Sequence, residues 1–149
     1  MGTNSVGHTF VGIKQGGVTR LFGFYPDSQY ASLLGSQSSE IHNNSNTLYH
    51  VSISTTVNAS QLGAAINYIN NYPSQYDLNK YNCTDFAIGV AQKGGLNLPQ
   101  TTGSYDAGVI KFEGRNPGDL GQDLRNAQLP QGVTRNTTKG NAPKKSGGC

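Results

Sequence analysis

Residues 76–86, Tyr76-Asp77-Leu78-Asn79-Lys80-Tyr81-Asn82-Cys83-Thr84-Asp85-Phe86, decide how this chain is read. Cys83, Phe86, Ala87, Val90 and Ala91 recur on one face at helical spacing, and Gly94-Gly95 can end the run in the left-handed conformation. The spacing predicts a helix that starts at Asn82-Cys83, with Asn82 as its cap. A thiol there meets unpaired backbone N–H groups and the positive end of the helix dipole, which stabilise a thiolate and lower its pKa below the free value of about 8.5. The same N–H groups suit the oxyanion that forms when a thiolate attacks a carbonyl. The competing reading makes Cys83 a small buried hydrophobe at the end of a helix face.

Upstream, Asn58 with Gln61 forms a capping-box pattern ahead of Leu62, Ala65, Ile66 and Ile69, predicting a helix over 59–71 that stops before Tyr72-Pro73. Tyr49 to Thr55 alternates as a half-buried strand. Residues 27–47 are Ser-, Asn- and Gln-rich without a period and read as a long loop, a candidate lid. Gly7 to Ile13 and Thr19 to Tyr25 have strand content around the turn signal Gln15-Gly16-Gly17 and predict a hairpin. Downstream, a short strand is expected around Val109 to Phe112, and Asn116-Pro117 opens a third helix ending near Arg125.

The 149 residues suit one domain, and Val, Ile, Leu and Phe form about a fifth of them, enough for a core. Charged residues are only 13%, which excludes a coiled coil or a salt-bridge-laced bundle. The net charge of +3 is lopsided. Beyond Pro130 stand Arg135, Lys139, Lys144 and Lys145 with no acid, so residues 1–129 are close to neutral and present no basic surface of the kind nucleic acid requires. We therefore divide the chain into a folded domain over 1–129 and a flexible basic tail over 130–149. No apolar run is long enough to span a membrane, and Met1 to Val6 lacks the regions of an export signal, so a soluble chain is expected. The two cysteines, Cys83 and Cys149, read as free thiols, and no zinc spacing can be drawn, so neither metal nor cofactor is expected.

A nucleophilic cysteine needs a base. His42 lies in the Asn-Ser stretch and His50 alternates with serines, so both read as solvated side chains. His8 shares a strand face with Phe10 and is either a satisfied core residue or a positioned imidazole.

The block 76–86, followed by Gly94-Gly95-Leu96-Asn97-Leu98-Pro99, resembles the cysteine-helix block of the permuted papain-fold hydrolases, the NlpC-type superfamily. In the PPPDE peptidases it runs approximately Tyr-x-Leu, Asn-Cys-Asn-His-Phe, then Gly and Pro; the lecithin retinol acyltransferase relatives carry a similar Asn-Cys-Glu-His-Phe. Both families place the catalytic histidine upstream of the cysteine on an early strand, and Gly7-His8-Thr9-Phe10-Val11-Gly12-Ile13 matches that order. Two departures stand out. Asp85 replaces the histidine that follows the cysteine by two, and no third polar partner is found between Thr9 and Tyr25, a dozen positions after His8, where the acyltransferase relatives carry one.

The resemblance implies an α+β fold of permuted papain-like type, with an antiparallel sheet against the cysteine-bearing helix. It implies a Cys83–His8 dyad that cleaves an amide through a thioester, with Asn82 as helix cap or oxyanion support. The substrate would be a peptide, an isopeptide or a peptidoglycan-like crosslink. The start only seven residues before His8 suggests a domain of a larger bacterial effector or toxin, cytoplasmic or secreted, for which an inhibitor or immunity protein would be a partner. Two alternatives are a thiol acyltransferase or lipase of the same fold, and a binding module without turnover.

Overall fold

The computed structural model describes residues 7–28, 35–107 and 110–147. Strand β1 (Phe10–Gln15) and strand β2 (Val18–Pro26) form the expected antiparallel hairpin, with Phe10 opposite Gly23 and Gln15 opposite Val18. Its turn needs a residue at positive φ, and Gly16 supplies it at +56°.

Strand β3 (Gln37–Asn43) pairs along the other side of β2, placing Ile41 opposite Phe24. This overturns part of the expected loop over 27–47. The strand carries one apolar residue that meets the core, Ile41, and is held mainly by backbone pairing, which polar residues support as well as apolar ones. Two short strands follow, β4 (Leu48–Tyr49) and β5 (Ser52–Ser54), where the alternation predicted one continuous strand. The alternation still holds, since Val51 and Ile53, two residues apart, both pack inward.

Helix α1 (Ala59–Asn70) carries the reciprocal capping box of Asn58 and Gln61. Strand β6 (Gln75–Tyr76) joins β3, giving a sheet of order β1-β2-β3-β6. Helix α2 (Cys83–Lys93) starts where the cap predicted and lies between two cores. On one side Phe86 stacks on Phe24 with ring centroids 5.4 Å apart, both fully buried, amid Ala65, Ile69, Tyr76 and Val90. On the other side Ile88 meets Leu120 and Leu124 of helix α3 (Pro117–Asn126), beside Leu98. Replacing a ring such as Phe86 by Ala in such a core costs about 3–5 kcal/mol. Before α3, β7 (Gly103–Ala107) and β8 (Ile110–Gly114) pair as a separate ribbon. Val109 of the expected strand lies outside the described residues.

The chain is thus α+β, with three helices among the described residues and antiparallel pairing throughout the described strands. The segment expected as a flexible tail is docked. Strand β9 (Thr134–Asn136) pairs with β5, and β10 (Gly140–Asn141) pairs with β4. Arg135 donates to the carbonyls of Leu124 and Ala127, closing the end of α3, and Ala142 is buried. Composition misled because backbone groups and one arginine, not an apolar face, make the attachment.

Candidate active site

Cys83 is the first residue of α2 and is 5% exposed. Burial pushes its thiol pKa up. The backbone N–H of Thr9, the hydroxyls of Thr84 and Tyr76, and the N–H of Thr84 act against that rise. The helix start alone predicted a lowered pKa; desolvation of the thiolate outweighs it, so the resting sulfur is protonated.

His8 precedes β1. Its ring lies against Tyr25, centroids 4.4 Å apart, and on the same side as Phe10. Gly23 sits beneath, and a Cβ there would stand 2.7 Å from His8 Nε2. The imidazole therefore occupies the sheet face of Gly23 and Tyr25, opposite the face where Phe24 meets α2. Burial lowers its pKa, partly offset by a hydrogen bond with Asn44, and the ring is neutral at pH 7.

The structure brings Cys83 against the peptide that joins His8 to Thr9, beside the edge strand of the sheet. A hydroxyl pair, Thr9 with Thr84 at 3.0 Å, fastens the same strand to the first turn of α2. The imidazole's hydrogen bond runs to Asn44 and not to the sulfur.

Asn44 is the partner of His8 that the sequence did not disclose. Its Oδ1 lies 3.4 Å from His8 Nε2, while its Nδ2 donates to the Tyr25 hydroxyl at 2.6 Å and to Thr47 Oγ1 at 3.3 Å. It is 4% exposed. Arg20, a dozen positions after His8, donates to the carbonyls of Thr19 and Ser146. Asn44 comes from the end of β3, two strands across the sheet, and only the pairing of β3 with β2 would have pointed to it.

Asn82 caps α2. Its Oδ1 accepts from the N–H groups of Thr84 and Asp85, and its Nδ2 donates to the carbonyls of Leu78 and Arg115. Both amide hydrogens are committed, so Asn82 is a support and not an oxyanion donor. The backbone N–H of Cys83 has no acceptor among the described residues. Asp85 completes the capping box and pairs with Arg115 at 2.6 Å. His42 lies on β3 and not in a loop, but its side chain is exposed as expected and pairs with Glu40.

Among the described residues no group of three or more His, Cys, Asp or Glu side chains could hold a metal ion, and no helix is long and apolar enough to cross a membrane. Two hollows of about 200 and 220 Å³ lie around Leu96, Asn97 and Pro130, away from Cys83 and His8. No family model matches this chain, and comparison with curated proteins and with solved structures finds no match either.

Proposed function

We propose that this chain is a cysteine hydrolase of the permuted papain-like type, cleaving an amide in a peptide, an isopeptide or a cell-wall crosslink. The observation that carries the reading is the arrangement Cys83, His8, Asn44: the thiol against the His8–Thr9 peptide, and the ring nitrogen Nε2 of His8 on the side-chain oxygen of Asn44. An amide oxygen on Nε2 fixes the proton there and leaves Nδ1 with its lone pair, the form a general base requires.

Both groups rest neutral, so the proton leaves sulfur as sulfur attacks. Cys83 Sγ bonds to the carbonyl carbon, the thiol proton passes through a water at the edge of the sheet to Nδ1 of the His8 ring on the far face, and the carbonyl oxygen gathers negative charge toward the free N–H of Cys83. Collapse breaks the C–N bond, His8 returns the proton to the leaving amine, and a thioester remains. Water, deprotonated by His8, then attacks the thioester, releasing the acid and restoring the thiol. A thiol acyltransferase or lipase would share every step and differ in the acyl donor and the final acceptor.

A binding module is favoured by one observation, the 5% exposure of Cys83. The two are separated by incubating the protein with peptide, isopeptide and phospholipid substrates and seeking by mass spectrometry an acyl adduct on Cys83. Turnover that is lost in Cys83→Ala and His8→Ala supports the hydrolase; a folded protein that turns over none of them and forms no adduct leaves the binding module.

A further inference from the structure

Asp85 poses a problem for any chemistry at Cys83. Its carboxylate is 7% exposed in the first turn of α2, two residues beyond the sulfur. A full negative charge in that turn opposes a thiolate, against the roughly half-unit positive charge of a helix start that favours one. The carboxylate does not stand alone. Arg115 Nη1 donates to Asp85 Oδ1 at 2.6 Å, and its Nη2 donates to Gln100 at 2.6 Å, which fixes the guanidinium plane. The backbone carbonyl of the same residue accepts from Asn82 Nδ2 at 2.8 Å, so one residue grips both halves of the capping box.

We infer that Arg115 is a positioning residue for Cys83: its side chain cancels the charge of Asp85 while its carbonyl anchors the Asn82 cap, preserving the positive character of the helix start toward the sulfur. The inference deepens the hydrolase reading and rests on it for its catalytic meaning. The titratable groups around the thiol are His8 ahead of β1, Tyr76 on β6, Tyr81, and Asp85 with Arg115. Of these the buried imidazole is neutral at pH 7, and so is Tyr81, whose pKa is raised by burial and by its 2.6 Å bond with Tyr68. With Asp77 held by the Ser36 hydroxyl and the N–H groups of Asn79 and Lys80, the Asp85–Arg115 pair is the charged pair built into the helix turn that carries Cys83.

The test is the pH profile of Cys83 alkylation by iodoacetamide, in the full chain carrying Cys149→Ser so that one thiol reports. Arg115→Met leaves Asp85 uncompensated and is expected to raise the apparent pKa by about one unit, slowing alkylation at neutral pH about tenfold. Asp85→Asn alone leaves the arginine charge and is expected to shift the pKa down. The double variant is expected to return to within about twofold of the parent rate, a recovery that lost packing would not give. An unchanged midpoint in Arg115→Met, or a double variant no faster than the single, overturns the inference. If Arg115→Met does not fold, Asp85→Asn decides: a midpoint that stays or rises overturns it. Alkylation needs no substrate, so this result is independent of whether Cys83 and His8 support turnover.

Discussion

The side-chain oxygen of Asn44 lies 3.4 Å from Nε2 of His8, and the rest of the Asn44 amide is spoken for by Tyr25 and Thr47. Because its nitrogen donates to both hydroxyls, its oxygen faces the ring, and the ring must answer with an N–H. Nitrogen NMR of the imidazole at pH 7 should therefore show Nε2 protonated and Nδ1 bare. Asn44→Ala should lose that preference and reduce amide turnover by tenfold or more, within the range assigned to a positioned general base. Asn44→Asp, which keeps an acceptor, should retain the tautomer. A ring protonated on Nδ1 in the parent would defeat the triad reading.

Gly23 makes the juxtaposition possible. A methyl group there would overlap Asn44 Oδ1 and press within 2.7 Å of both His8 Nε2 and Tyr25 Cε2. Gly23→Ala should fold, since the opposite face with Phe24 is untouched, at a cost of about 1–3 kcal/mol. Turnover should fall to the level of His8→Ala. Urea denaturation and a turnover assay on the same preparation check the two halves, and full activity in the variant would show that His8 and Asn44 need not meet.

Much of this architecture was legible. The hairpin, the caps at Asn58, Asn82 and Asn116 and the proline opening α3 are local signals, each written within a few residues. What escaped was nonlocal and polar. The β3 residues Ser38, Ser39, Glu40 and His42 show no period because their placement follows from pairing with β2, not from an apolar face. The same holds for Thr134 to Asn136 and for Gly140-Asn141, held by ladders to strands about eighty and about ninety residues away in sequence. Cys83 and His8 were singled out because a motif marks them. Asn44 was missed because a single buried amide in a polar stretch has no pattern, and its role exists only once β3 is laid beside β2.

The buried imidazole also sets a pH dependence for stability. The His8 pKa lies below 6.5 in the folded chain and returns to about that value on unfolding. Between the two values the unfolded chain binds more protons, so this contribution is complete above pH 6.5, falls as pH drops toward the folded pKa, and levels off below it. Thermal melts from pH 7.5 to 5 should show a decline that is shallower in His8→Gln. Asp77, whose carboxyl is held down by the Ser36 hydroxyl, acts below its ordinary value of 3.8 and does not intrude on this window. Parallel curves for parent and variant would mean the ring is solvated in the folded state.

The C-terminal segment braces the same site from outside. Ala142 donates its N–H to the Thr47 carbonyl at 2.8 Å and accepts from Asn46 at 3.1 Å, and Thr47 in turn donates to the Asn44 carbonyl at 3.1 Å. The turn that carries Asn44 is thus gripped by a residue almost a hundred positions later, itself 5% exposed. Ala142→Asp places a carboxylate there without a cationic partner and should cost at least about 2 kcal/mol, read as a fall in the urea midpoint. Lys144→Ala, on an exposed neighbour, should leave the midpoint within error. If the brace acts on Asn44, the Nε2–H signal of His8 should weaken in Ala142→Asp under conditions where the protein remains folded. A variant as stable as the parent would mean that the segment detaches in solution and that the Asn44 turn holds itself.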